Sequence, residues 1–211
     1  MINNTNSIQE KKMIEYFKRE VFNLIDKNLN VYYWLAGGSL TNYILGIPIN
    51  DFDIYFNNRE TLLKVLDYII KNGGKINLET NNAYNINFKG KDFDLIKILF
   101  ESPEQTIQAF DINVVCIALD SNLKMLYNDN FFEDMAYRQI NIVKNDTYIL
   151  SLKRLLKYTL KGFKIDDNTL NEYYLKLKNS YYNKPMYKKD ENVTDEEYNK
   201  EEYEELNRRE L

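Results

Sequence analysis

Histidine is absent from the 211 residues, and cysteine occurs once, at Cys116. The first absence excludes histidine general bases, Ser-His-Asp triads and the usual zinc sites. The second excludes an internal disulfide framework and fits a reducing compartment, so a cytoplasmic protein is expected. Proline and glycine are scarce, at 3 and 7 residues, so each marks a specific break in the chain. No stretch approaches the unbroken apolar run of a membrane span, and the polar start from Met1 to Lys12 lacks a signal-like core. An excess of positive charge is missing too. The net charge is -4, and it resides in Tyr181 to Leu211, where 10 residues are acidic and 6 basic; residues 1–180 balance. A neutral body is not the footprint of a protein that binds long nucleic acid.

What remains is a globular composition, 44% hydrophobic and 28% charged, sufficient for one core. Apolar spacing predicts an amphipathic helix over Ile8 to Leu29. A strand is expected at Val31 to Ala36, then a short helix N-capped by Ser39 and closed by Gly46. A second strand covers Phe52 to Phe56. Asn58 caps the next helix, which Gly73-Gly74 ends. Strand-like runs follow at Lys75 to Glu79, Tyr84 to Phe88 and Phe93 to Phe100. A short helix starts at Pro103. Ile112 to Leu119 reads as one buried strand, paired with Leu123 to Tyr127. Beyond Asn130 helices dominate. In Ile149 to Phe163, Leu152, Leu155, Leu156, Thr159, Leu160 and Phe163 form an apolar face, opposite Lys153, Arg154, Lys157, Lys161 and Lys164. A further helix spans Leu170 to Lys178. The expected fold is α+β: a mixed-sheet head over 1–128, a helical neck over 129–180, and an acidic, tyrosine-rich tail over 181–211.

One unit carries chemistry, WLAGGSLTNYILGIPINDFDIYF, Trp34 to Phe56. A strand ends in Gly37 and Gly38, whose missing side chains let backbone approach a ligand. The next helix turns free N–H groups and its positive end to the same point, and Ser39 adds a hydroxyl. These features suit a polyphosphate. On the following strand Asp51 and Asp53 share a face, because side chains alternate about Phe52. Two neighbouring carboxylates beside phosphates suit Mg²⁺ or Mn²⁺, held by hard oxygen ligands. A third ligand is sought in KDFDLIKILF, where Asp94 is the candidate and Asp92 the alternative. Taken alone, a Gly-Gly turn or an Asp-x-Asp is usually structural; their order and spacing make the functional case. Cys116, Trp34 and the tyrosines read as packing.

This unit resembles the nucleotidyltransferase superfamily of DNA polymerase beta, with its GG[ST] turn and D-x-D strand. The step Leu45-Gly46-Ile47-Pro48 is more similar to the CCA-adding enzyme and poly(A) polymerase branch, although Thr41-Asn42 stand where that branch has Arg-Asp. Phe110-Asp111-Ile112-Asn113 resembles a further family segment without its two arginines. Glu133-Asp134-Met135 with Arg138 resembles the start of the family's neck, and Leu152 to Asp166 its arginine-rich helix, with lysines in place of most arginines. The resemblance implies transfer of a nucleotidyl group from an NTP, ATP among the candidates, to an acceptor hydroxyl on an RNA end, a nucleotide, a small molecule or a protein. It places Asp51, Asp53 and Asp94 on the metal and in catalysis, and Gly37, Gly38 and Ser39 on the phosphates. Asn113, Lys153, Arg154 and Lys157 would line the nucleotide cleft. For Asn113 the alternative is a strand residue satisfying backbone, and for the basic helix face a solvated surface. The other reading open at this stage is an inactive relative that binds nucleotide or another protein.

Overall fold

The computed structural model describes residues 8–25, 29–143 and 148–182; the expected tail from 183 onward lies outside them. The fold is α+β, as the sequence predicts. Helix α1 (Ile8–Glu20) buries Met13 and Phe17. It is shorter than its apolar spacing suggests: after Glu20 the chain tightens into a 3-10 turn, Phe22–Leu24, which tucks Val21, Phe22 and Ile25 into the core. Strand β1 (Tyr33–Ala36) leads into α2 (Gly38–Leu45). The N-cap is Gly37, at φ 82, so Ser39 stands inside the first turn and is not the cap. Gly46 closes α2 in the left-handed conformation, φ 66.

Strand β2 (Asp51–Phe56) is followed by α3 (Arg59–Lys71). Asn58 caps α3 by accepting a 2.8 Å bond from the Thr61 amide. Leu62, Val65 and Ile69, spaced for one helical face, are buried. The meander β3 (Lys75–Glu79), β4 (Ala83–Phe88) and β5 (Lys91–Ile96) comes next, then α4 (Pro103–Ala109). Strands β6 (Ile117–Asp120) and β7 (Met125–Tyr127) complete the sheet. Ile112 to Leu119 is not one strand. A 3-10 turn at Asn113–Val115 interrupts it, because the Asn113 amide donates to the Asn141 carbonyl at 3.0 Å and Thr41 Oγ1 donates to the Val114 carbonyl at 2.7 Å. These bonds turn the backbone before the ladder begins.

Among the described residues the sheet has the order β3-β4-β5-β2-β1-β6-β7. Only β2 and β5 run parallel; the other neighbours are antiparallel. Alternation along the strands assigns the two faces. Phe52, Ile54, Phe56, Phe93, Leu95, Ile86 and Phe88 join the main core with Phe17, Leu40, Leu62 and Ile69. Burying side chains of this size stabilises the fold by about 1.5–3 kcal/mol each. The opposite face holds a small cluster of Trp34, Ala36, Ile107, Cys116, Ala118 and Leu126 at the β1-β6-β7 side, where Trp34 Nε1 donates to Thr106 Oγ1 at 2.9 Å.

The remaining elements are α5 (Phe131–Tyr137), β8 (Gln139–Ile140), α6 (Tyr148–Leu160), β9 (Lys164–Ile165) and α7 (Asp167–Tyr182). The expected apolar face of the neck helix is corrected here. Leu155, Tyr158 and Phe163 are buried, whereas Leu152, Leu156 and Leu160 are 41%, 58% and 90% exposed. The surface that α6 meets explains the roll: it is acidic and polar. Arg154 pairs with buried Asp111 at 2.9 Å, and Lys161 Nζ donates to Asn42 Oδ1 at 2.8 Å. A carboxylate taken out of water needs a countercharge, so Arg154 reaches Asp111 from the rim of the helix while Leu155, Tyr158 and Phe163 fill the core beneath it.

Candidate active site

Pairing of β1 with β2 matches Leu35 to Ile54 and Trp34 to Tyr55. The end of β1, and with it Gly37-Gly38, therefore lies beside the start of β2, where Asp51 and Asp53 stand. Gly37 at φ 82 occupies backbone space that favours glycine. The N-terminus of α2 thus points its free amides at the carboxylate side of the sheet. Ser39 is buried, and its hydroxyl has no hydrogen-bond partner. A buried, unsatisfied donor costs about 1–3 kcal/mol, and a phosphate oxygen would relieve it.

The parallel register sets Asp51 against Asp92 and Asp53 against Asp94. All four carboxylates share the face opposite the main core. The Asp53 pKa is pushed up to about 7, by burial first, then by the charges of Asp51 and Asp94, against a downward pull from Lys157 and Arg154. The register places Asp92 beside Asp51, one pair further along the strand. Asp94 is raised too, by burial, by Asp51 and by Asp92, with the hydrogen bond from Asn85 acting against these. Asp94, not Asp92, is thus the carboxylate coupled to Asp53.

The donor set fits a hard divalent cation: all oxygen, on adjacent strands, and mutually repelling in a way a cation would relieve. The side chains are not closed around a point. Among the described residues no group of three or more Asp, Glu or Cys is gathered as a metal cluster. A cavity of about 520 Å³ lies elsewhere, between α4, β7 and α5, and none of the three aspartates lines it.

The other predicted residues separate. Arg154 and Lys157 face the carboxylates closely enough to act on Asp53, and Lys153 is exposed on the same helix. Asn113 is engaged with backbone. Its Nδ2 donates to the Gln139 carbonyl at 3.0 Å and its Oδ1 accepts from the Asn141 amide at 2.8 Å, so it brackets two backbone segments. The Glu133-Asp134…Arg138 segment is also structural. Asp134 accepts from Asn141 Nδ2 at 3.1 Å, and Arg138 Nη1 donates to the Lys161 carbonyl at 2.7 Å, capping the end of α6.

Tyr158 was not singled out by the sequence. Its hydroxyl lies 3.9 Å from where a side chain on Gly38 would begin, and it is hydrogen-bonded to Thr41, with its pKa pushed up to about 12 by burial. The only sequence signal for it is its place one turn beyond Arg154 and just before Lys161.

This sheet and its helices have the fold found in part of solved CCA-adding and tRNA-processing enzymes. The fold is shared with a CCA-adding enzyme in complex with ATP, at a TM-score of 0.66 and 16% identity over 86% of this chain and 48% of that one. It is shared also with the Thermotoga maritima CCA-adding enzyme complexed with tRNA, at 0.61 and 14% over 81% and 45%. A tRNA-processing enzyme in an apo form matches at 0.60 and 14% over 78% and 47%. Residues 7–138 match the Gabija anti-defense 2 family, and the chain belongs to that family. A relative of that name from Bacillus phage SPbetaL7 is 24% identical over 160 residues, 74% of this chain and 39% of the relative. The chain thus spans less than half the length of each of these proteins. Among the described residues no helix is long and apolar enough to cross a membrane.

Proposed function

We propose that this chain is a divalent-cation-dependent nucleotidyltransferase that acts against the Gabija defence for which its family is named. The observation that carries the reading is the strand register that sets Asp53 between Asp94 on β5 and the end of β1 that leads into Gly37-Gly38. Residues 1–128 would serve as head and 129–180 as neck. The backbone of Gly37 and Gly38 and the Ser39 hydroxyl would hold the β and γ phosphates. Arg154 and Lys157, with Lys153, would neutralise the triphosphate from the neck side. Asp51, Asp53 and Asp94 would hold Mg²⁺, which when bound screens the phosphates and favours ionisation of the attacking hydroxyl. The acceptor oxygen bonds to the α-phosphorus as the bond to the bridging oxygen breaks. Pyrophosphate leaves, and the acceptor proton passes to a carboxylate or water. Positioning and charge neutralisation supply the rate.

The acceptor classes are those named from the sequence. The family name directs the search first to components of a Gabija system. The test is incubation with Mg²⁺ and each of four α-labelled NTPs in turn, with such components present. Label should move to an acceptor, and Asp51→Ala with Asp53→Ala should abolish transfer. Transfer undiminished in the double variant would refute the assignment. A second reading, nucleotide binding without transfer, is favoured by Thr41-Asn42 standing where the branch that the chain resembles has Arg-Asp; it predicts bound NTP and no transferred label.

A further inference from the structure

Two asparagines behind the carboxylates form a relay. Asn85 on β4 lies directly opposite Asp94 on β5, and its Nδ2 donates to Asp94 Oδ1 at 2.8 Å. An ionised carboxylate only accepts, so the amide of Asn85 must turn its NH₂ toward Asp94 and its oxygen away. That oxygen accepts from Asn77 Nδ2 at 3.1 Å. Asn77 belongs to the edge strand β3, where the register with β4 shifts between Ile76 and Leu78. The shift sets Asn77 and Leu78 against the single residue Asn85. Such bulges re-aim a side chain and recur beside active sites. Here the bulge directs an exposed side chain onto the amide that orients a buried-side carboxylate.

Asp92 provides the contrast. Asn87 Nδ2 donates to it at 2.8 Å, but Asn87 stands opposite Lys75 on β3, and no third amide fixes its orientation among the described residues. Two carboxylates of equal chemistry therefore differ in support: one has a two-step brace and one a single bond.

We infer that Asn85, held by the β3 bulge residue Asn77, is a positioning residue that fixes Asp94 with Oδ1 engaged and Oδ2 presented to a divalent cation. Donation to Oδ1 favours the ionised form and fixes the rotamer, so the second oxygen meets the cation without reordering. This rests on the cation site proposed above for Asp51, Asp53 and Asp94. It implies that the meander β3–β5, which contributes one carboxylate, is needed as a whole to aim it.

The test uses the full chain and Mn²⁺ alone as probe, with affinity read from the free-ion signal in electron paramagnetic resonance. Relative to the parent, Mn²⁺ affinity should fall about tenfold in Asn85→Ala and about threefold in Asn77→Ala, and stay unchanged in Asn87→Ala. Asn77 is exposed, so its variant keeps the test open if Asn85→Ala does not fold. In the transfer assay raised Mg²⁺ should restore much of the Asn85→Ala rate, with the KM for NTP unchanged. The inference is overturned if Asn85→Ala and Asn77→Ala bind Mn²⁺ as the parent does, if Asn87→Ala loses as much, or if the parent binds no Mn²⁺. A parent that binds Mn²⁺ but transfers no label refutes the proposed reaction instead, and the Asn85 result then stands on affinity alone.

Discussion

Replacing Asp53 with asparagine should abolish transfer and make the cation-free protein more stable. A carboxyl whose pKa rises from 3.8 to about 7 keeps its charged form in the fold at a cost of about 4 kcal/mol above pH 7. Water reaches this half-buried side chain, which reduces the figure to about 2 kcal/mol. Because the folded carboxyl holds its proton more tightly than the unfolded one, its contribution is best below pH 4. It weakens as pH rises from about 4 to about 7, then levels off. Asp53→Asn removes the charge and so the pH dependence. In urea denaturation with chelator present, the variant should exceed the parent by about 2 kcal/mol at pH 8, or roughly 4–8 °C in melting temperature. The gap should close toward pH 4. Mg²⁺ should narrow it at pH 8 by stabilising the parent alone. A variant less stable than the parent at pH 8, or a gap independent of pH, would refute the reasoning.

Arg154→Met leaves Asp111 buried without its ion pair, and with the arginine side chain 46% exposed the loss should be about 2 kcal/mol in urea denaturation; a loss under about 0.5 kcal/mol would show that the neck is held by other contacts. Gly37→Ala places a side chain at φ 82, 3.6 Å from Phe110, and should cost about 1–2 kcal/mol while raising the KM for NTP; an unchanged melting temperature would count against the strained turn. Glu20 is held below the ordinary carboxylate range by hydrogen bonds from Lys91 and Arg19, a contribution present above the unfolded pKa and lost as pH falls through the folded one. Glu20→Gln should therefore cost about 1 kcal/mol at pH 7 and progressively less as pH falls below the ordinary carboxylate range, as a series of urea midpoints across that range would show.

Local rules account for what was readable in the chain. The Gly37-Gly38 turn, the cap at Asn58, the left-handed stop at Gly46 and the common face of Asp51 and Asp53 follow from φ preference and strand alternation over a few residues. The sequence alone therefore determined the α+β class, the succession of the Gly37-Gly38 turn and the acidic strand, and the exclusion of histidine chemistry. Tertiary structure decided the rest, because each remaining question concerned partners distant in the chain. The register of β2 with β5 chose Asp94 over Asp92 as the neighbour of Asp53. The partners of Asn113, the Gln139 carbonyl and the Asn141 amide, lie more than twenty residues away and were not readable from its own segment. The periodicity of the neck helix favoured burial of Leu152, Leu155, Leu156 and Leu160, and of these only Leu155 is buried. Packing put Leu155, Tyr158 and Phe163 in the core, and the contacts of Arg154 with Asp111 and of Lys161 with Asn42 fixed the roll that leaves Leu152, Leu156 and Leu160 outside.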